Sequence, residues 1–148
     1  MDSSGPMGKP FDVAGHRLNN RFAIHPMEGW DGNEDGLPSE HTFRRWHRFG
    51  LSGSSLIWGG EAFAVVPEGR ANPYQLHQGS SKKIGVGLKD LIGKIKSGRA
   101  NIGLSHEEAL IGLQLTHSGR WSRPDKNGPS PRIAFRHPIL DLKSGVKS

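Results

Sequence analysis

Three short apolar runs alternate with two helix-like segments along the chain, and this alternation restricts the fold more than any other feature of the sequence. The apolar runs cover residues 22–25, 55–58 and 109–115, and the helix-like segments cover about residues 40–49 and 86–97. Apolar strands that alternate with amphipathic helices are typical of βα units, in which the strands run in the same direction. The sequence therefore predicts an α/β protein whose three strands are parallel and adjacent in sequence order.

Capping and turn residues set the predicted ends of these elements. Ser39 is the predicted N-cap of the first helix, and Gly50 is expected to end that helix as Gly98 ends the second. Pro26 ends the first strand, and the glycine pair at 59–60 is expected to close the second. The other segments are predicted to be irregular, namely a leader or lid at 1–19, loops at 29–38 and 61–81, and a loop-rich region at 118–148.

The first predicted helix has a buried face and a polar face. Trp46 lies on the face that we expect to be buried. Three arginines are expected on the opposite, solvent-exposed face, namely Arg44, Arg45 and Arg48. His41 and His47 are six residues apart, so they lie on different faces and do not form a metal-binding pair. We therefore predict no metal site.

Charge is unevenly distributed within the net charge of +6. Residues 1–81 contain 7 Lys and Arg against 9 Asp and Glu, whereas residues 82–148 contain 13 against 5. A basic half is typical of a solvated face or of a surface that binds polyanions, which leaves open a small nucleic-acid or polyanion-binding module. Trp121 and Phe135 are the only aromatic residues after position 81, so base-stacking platforms are few and a nucleic-acid partner is disfavoured.

Several classes of protein are excluded by what the sequence lacks. No cysteine is present, which excludes disulfides and thiolate zinc sites and is compatible with a cytoplasmic location. The first residues lack the basic and apolar regions of a secretory signal. No uncharged apolar stretch of about 18 residues is present, so we expect a cytoplasmic protein with no membrane partner.

Polar, glycine-containing clusters follow each predicted strand. They cover residues 25–30, 59–62 and 114–120. The loops after parallel strands converge at one edge of the sheet, where ligands bind in this architecture. Glycine allows a planar ligand to approach the backbone, and the Gln114 amide can donate and accept hydrogen bonds together. We therefore expect the three clusters to form one site for a heterocyclic ligand.

The same clusters resemble successive signatures of the Old Yellow Enzyme family. The matching segments are residues 20–27, residues 59–62 with 67–70, and the heptapeptide 114–120, and the resemblance spans roughly residues 15–142. It implies a (β/α)8 barrel that holds FMN non-covalently at the carboxyl ends of its strands. The implied function is an FMN-dependent oxidoreductase that takes hydride from NADH or NADPH and passes it to an activated alkene, such as an enone.

Site residues follow from the resemblance position by position. The backbone of four consecutive residues would line the isoalloxazine ring: His25, Pro26, Met27 and Glu28. Ala62 would pack near the pyrimidine edge of the ring, Gln114 would hydrogen-bond that edge, and Trp30 would lie on the substrate side. The catalytic groups of the family are expected beyond residue 148. The small-molecule substrate would therefore react only where a partner supplies the missing C-terminal part of the barrel.

Length supports this expectation. A (β/α)8 barrel needs eight strands and about 250 residues, whereas the chain has 148 residues. We therefore expect residues 20–148 to be the N-terminal part of a flavin-binding barrel, preceded by the 1–19 segment and inactive alone.

Some residues have simpler explanations, and one departs from the family. Met27 could fill a gap in the core, Gln114 could anchor its own loop, and His117 could be a hydrogen-bonded loop histidine. Glu28 stands where the family usually has a small hydroxyl, thiol or alanine side chain. A carboxylate at that position would disfavour the anionic reduced ring through like-charge repulsion.

Overall fold

Residues 5–78 and 83–146 are described by a computed structural model. A hairpin comes first, with β1 (Phe11–Val13) antiparallel to β2 (His16–Leu18). The remaining elements are β3 (Ala23–Ile24), α1 (Glu40–Leu51), β4 (Leu56–Ala64), α2 (Lys83–Asn101), β5 (Leu110–Thr116) and α3 (Pro138–Ser144). Within the described ranges, no helix is both long enough and apolar enough to cross a bilayer.

The second sheet confirms the predicted topology. Its order is β3-β4-β5, and both neighbouring pairs are parallel. Ala23 pairs with Leu56, and Leu56 pairs in turn with Leu110, so the three strands start level with one another. Their carboxyl ends therefore point to the same edge, as the βα alternation requires.

Helices α1 and α2 cover one face of this sheet. Six buried side chains form the core between the two layers, namely Trp46, Ile57, Phe63, Leu76, Leu91 and Ile95. Ile24, Ile111 and Leu113 of the flanking strands pack against this core. Successive strand residues point to opposite faces, so the sheet has one face toward the helices and one face away from them.

The two glycines that were expected to end the helices lie inside them. Helix α1 continues past Gly50 to Leu51, and α2 continues past Gly98 to Asn101. A Cβ atom on Gly50 would lie 2.2 Å from the carbonyl oxygen of Ile95, and one on Gly98 would lie 2.3 Å from that of His47. The expectation was wrong because these glycines allow the two helix backbones to touch where they cross. Ser39 caps α1 as predicted, with its hydroxyl 3.1 Å from the His41 amide nitrogen.

Strand β4 is longer than predicted. It runs through the 59–60 glycine pair to Ala64, so that pair does not close it and the first part of the 61–81 segment is not irregular. The pairing of β4 with β5 shifts register between Trp58 and Ala62. Glycine within a strand is often found at such an irregularity. The 59–60 glycine pair therefore marks the register shift and not the end of β4. Residues 79–82 of that segment lie outside the described residues.

Two other segments predicted to be irregular also contain regular structure. The 1–19 segment carries the β1–β2 hairpin, whose Leu18 is only 1% exposed. The 118–148 segment carries α3, which begins at Pro138. The His137 ring caps it by accepting from the amides of Ile139 and Leu140. The prolines of this segment indicated a loop. Pro138, however, lies in the first turn of α3, where proline is favoured.

We predict that Gly50→Ala lowers the free energy of unfolding by about 1–3 kcal/mol, because the new methyl group must separate the two helix backbones. Gly93→Ala, in the partner helix α2, is the matched control, since nothing lies within 4 Å of its Cβ position. That change should raise stability by about 0.5–1 kcal/mol through helix propensity. Urea unfolding followed by circular dichroism measures both, and equal effects of the two substitutions would contradict the close helix crossing.

Candidate functional site

The ends of the three parallel strands are joined by backbone hydrogen bonds. The Ala62 amide donates to the Met27 carbonyl oxygen at 2.9 Å, and Ala62 is the register partner of Gln114. The structure thus brings together one predicted cofactor-binding residue from each strand end. We call this edge, formed by residues 25–30, 59–62 and 114–117, the rim.

Several side chains of the rim are open to solvent, whereas Glu61 and Ala62 are buried. Met27 is 66% exposed and Trp30 is 61% exposed, so the interpretation of Met27 as a core residue is wrong. Ala62 is buried, whereas His25, Glu28 and Gln114 are exposed and Pro26 is partly buried. Within the described part of the chain, the side-chain amide of Gln114 makes no hydrogen bond to another residue. The rim therefore combines a small buried residue with an exposed side-chain amide on the neighbouring strand, and an exposed indole ring belongs to the same edge.

His117 is confirmed as a hydrogen-bonded loop histidine. Its Nδ1 accepts from the Gly119 amide at 2.9 Å. Its ring lies on Gly69, where an added Cβ would be 2.7 Å from the ring. The imidazole therefore joins the loop after β5 to the loop after β4 and is not a candidate base. Among the described residues, no three His, Asp or Glu side chains are grouped as a metal ion would require.

Arg45 of helix α1 forms hydrogen bonds with residues of the rim and of the loop that follows β3. Its guanidinium donates to both carboxylate oxygens of Asp31 at 2.7 Å, to Glu61 Oε2 at 2.6 Å and to the Gly60 carbonyl at 2.8 Å. Helical periodicity assigned Arg45 to the exposed face with Arg44 and Arg48, and that assignment was wrong because the guanidinium reaches the acids of the neighbouring loop and strand. We call Arg45, Asp31 and Glu61 the ion cluster.

The ion cluster also holds the backbone that carries Trp30. Glu61 Oε1 accepts from the Gly29 amide at 2.8 Å, and an added Cβ on Gly29 would lie 2.6 Å from the Arg45 guanidinium. Thr42 Oγ1 donates to the Asp31 carbonyl at 2.8 Å. Together these contacts hold the loop after β3 and the irregular part of β4 against helix α1.

Burial and pairing act in opposite directions on the ion cluster. The Glu61 side chain is fully buried, and this burial raises its pKa, although Arg45 opposes the shift. Burial would also raise the pKa of Asp31, but the hydrogen bonds and charge of Arg45 lower it overall. The two carboxylates raise the pKa of Arg45 against the effect of burial, so the guanidinium stays charged.

A second set of buried amides supports the rim from the loop after β4. Gln75 Nε2 donates to the Ala62 carbonyl at 2.5 Å, and Gln75 Oε1 accepts from the Ala71 amide at 2.6 Å. Asn72 Nδ2 donates to the Gly29 carbonyl at 3.1 Å. Both amide side chains are fully buried. Sequence reasoning missed them, because a long polar loop gives no local sign of which amides turn inward.

We predict that Arg45→Met lowers the free energy of unfolding by about 3–5 kcal/mol at pH 7, because it leaves Glu61 buried without a counter-ion. The pKa of Glu61 would rise further in the variant, so Glu61 takes up a proton as the pH falls and the unpaired charge is lost. The deficit relative to the parent should therefore be smaller at pH 5 than at pH 7. Urea unfolding at both pH values tests this.

Asp12→Asn is the control for that measurement, because it removes an ion pair with Arg17 whose side chains are both well exposed. Exposed pairs contribute little to stability, so this variant should unfold like the parent. A deficit in Arg45→Met that is the same at both pH values would contradict the role given to Glu61.

Comparison with known proteins gives matches at the level of structure only. No protein-family model matches the chain, and no curated protein sequence matches it. A 2-naphthoyl-CoA reductase in complex with 2-naphthoyl-CoA superposes with a TM-score of 0.67 at 17% identity, over 80% of this chain and 16% of that one. The Old Yellow Enzyme of Pichia sp. AKU4542 gives 0.62 at 16% identity, over 81% of this chain and 28% of that one.

Morphinone reductase gives a TM-score of 0.62 at 21% identity, over 88% of this chain and 32% of that one. The chain thus spans between about a sixth and a third of the length of these three structures. Identities of this size show the fold alone. The Old Yellow Enzymes are (β/α)8 barrels, and the parallel sheet with its covering helices corresponds to a portion of one. This chain therefore has the fold of the N-terminal part of the Old Yellow Enzyme barrel, as its motifs imply.

Proposed function

We propose that this chain forms the flavin-binding floor of an FMN-dependent oxidoreductase of the cytoplasm. The observation that carries the proposal is the rim, where Met27, Ala62 and Gln114 come together at the carboxyl edge of a barrel segment. The barrel fold places ligands at that edge, and the fold is shared with an Old Yellow Enzyme and with morphinone reductase. The complete reaction would need a whole barrel, including its C-terminal part.

The donors and acceptors of the rim fit a flavin. The pyrimidine edge of the ring alternates C=O and N–H groups, and the free amide of Gln114 can both donate to it and accept from it. Ala62 has a methyl group that leaves room beside that edge, and its amide is already bonded to Met27. Trp30 has an exposed indole ring, which would lie on the substrate side.

Each residue of the floor has a role in binding or orientation. When bound, FMN would accept hydride from NADH or NADPH and return it to a substrate such as an enone. Gln114 would fix the ring in its plane, and the backbone of residues 25–28 would form the surface beneath it. The ion cluster would hold the Gly29–Trp30 peptide at a set distance from β4, which keeps Trp30 beside the substrate.

Glu28 would make this floor less favourable for a reduced, anionic ring. Its side chain is exposed, so water and salt weaken the repulsion between the carboxylate and the ring. The substrate-binding and proton-donating groups would come from the C-terminal part of the barrel. We accordingly propose that the isolated chain is not active.

We predict that Gln114→Ala weakens FMN binding by roughly 5–150-fold in a barrel restored to full length. Without the side-chain amide, buried polar groups of the ring would lack a hydrogen-bond partner, which costs about 1–3 kcal/mol. His47→Ala is the control. His47 lies on α1, outside the barrel, and its ring contacts Asn101 at 3.3 Å. That variant should bind FMN as the parent does.

Quenching of FMN fluorescence measures the dissociation constant of all three proteins. A Gln114→Ala variant that holds FMN as tightly as the parent would mean that Gln114 is not a flavin ligand. The flavin assignment would then rest on the Met27 and Ala62 segments alone.

A further inference from the structure

A cleft of about 500 Å³ lies between α3 and the turn that follows β5. The turn spans Gly119–Trp121 and contributes Arg120 and Trp121 to the cleft. Helix α3 contributes Leu142 and Lys143, and Arg123 completes the polar wall. This volume is within the range of about 300–1,000 Å³ that small-molecule sites occupy. None of these residues belongs to the rim.

Positive charge is in excess around the cleft. Arg120 and Arg136 both pair with Asp141, which leaves one acid shared between two guanidinium groups. Arg123 and Lys143 are exposed, and neither has an ion-pair partner among the described residues. Like charges that converge without counter-charges attract an anion.

Apolar surface adjoins these cations. Trp121 is 56% exposed and Leu142 is 83% exposed. A flat indole surface that is open to solvent can stack on a planar base or ring. The cleft therefore combines a site for a planar group with a site for negative charge.

The cleft is connected to the rim through two hydrogen bonds. Ala71 lines the cleft, and its amide donates to Gln75 Oε1 at 2.6 Å. The same Gln75 side chain donates to the Ala62 carbonyl at 2.5 Å. The buried Gln75 side chain thus joins the wall of the cleft to the floor of the rim.

We propose that this cleft binds the nucleoside diphosphate part of an extended ligand, with the phosphates at Arg123 and Lys143 and the base against Trp121. Both a nicotinamide dinucleotide and a coenzyme A thioester contain this group, and either would direct its reactive end toward the rim. The identity of that ligand rests on the proposed function, whereas binding of the diphosphate group itself does not.

Titration of the 148-residue chain with ADP tests the proposal, by isothermal calorimetry at low ionic strength and without flavin. Arg123→Gln combined with Lys143→Gln should raise the dissociation constant at least tenfold, since charge-assisted contacts are about twice as strong as neutral ones. Lys89→Gln combined with Lys96→Gln is the control, because it removes two exposed lysines of α2. That variant should bind ADP within twofold of the parent.

Two further variants separate charge from shape. Arg123→Lys keeps the charge and should retain most of the affinity for ADP. Trp121→Leu should weaken ADP binding but leave the binding of inorganic diphosphate unchanged. Three results would each overturn the proposal. They are an equal loss of ADP affinity in the cleft double variant and in the α2 control, equal affinity of the parent for adenosine and ADP, and no ADP binding by the parent.

Competition against ADP with NADH, NADPH and coenzyme A then identifies the source of the diphosphate group. Displacement by the nicotinamide dinucleotides alone assigns the cleft to the reductant, and displacement by coenzyme A alone assigns it to the substrate. Because the titration contains no flavin, a failure to bind FMN would refute the proposed function and leave this result standing.

Discussion

The arrangement of the rim depends on the ion pairs of Arg45 with Asp31 and Glu61. The guanidinium reaches from helix α1 to Asp31 in the loop after β3 and to Glu61 in the irregular part of β4. Removing two carboxylates from water is costly unless a cation and further hydrogen bonds compensate. Here the compensation includes the Gly29 amide, so the same contacts that neutralise Glu61 also position the backbone at the rim.

The order of the elements could be predicted from the sequence, whereas several of their ends could not, because glycines occur there for reasons of packing. Strand order and direction were predictable, because the βα alternation favours parallel strands and consecutive strands are usually neighbours in the sheet. The ends of α1, α2 and β4 were not, since Gly50, Gly98 and the 59–60 pair were read as stop signals. Their real cause is the close approach of two helices and a register shift, which become visible only when distant segments are packed together.

The same distinction applies to the site. The three clusters that form the rim were predictable, because the carboxyl ends of parallel strands always meet at one edge. The residues that support it were not, since the partners of Arg45 and Gln75 are set by tertiary contacts. One sign was present in the sequence: Glu61 interrupts an apolar strand, and a buried carboxylate requires a partner.

The ion cluster also bears on the order in which the chain folds. Its contacts join residues 14, 16 and 32 positions apart, whereas the bonds between Thr116 and the β4 region join residues 53 apart. Closing a shorter loop costs less chain entropy, and structures with local contacts form faster. The loop after β3, helix α1 and the end of β4 are therefore expected to assemble as a nucleus, on which β5 later docks and aligns Gln114 with Ala62.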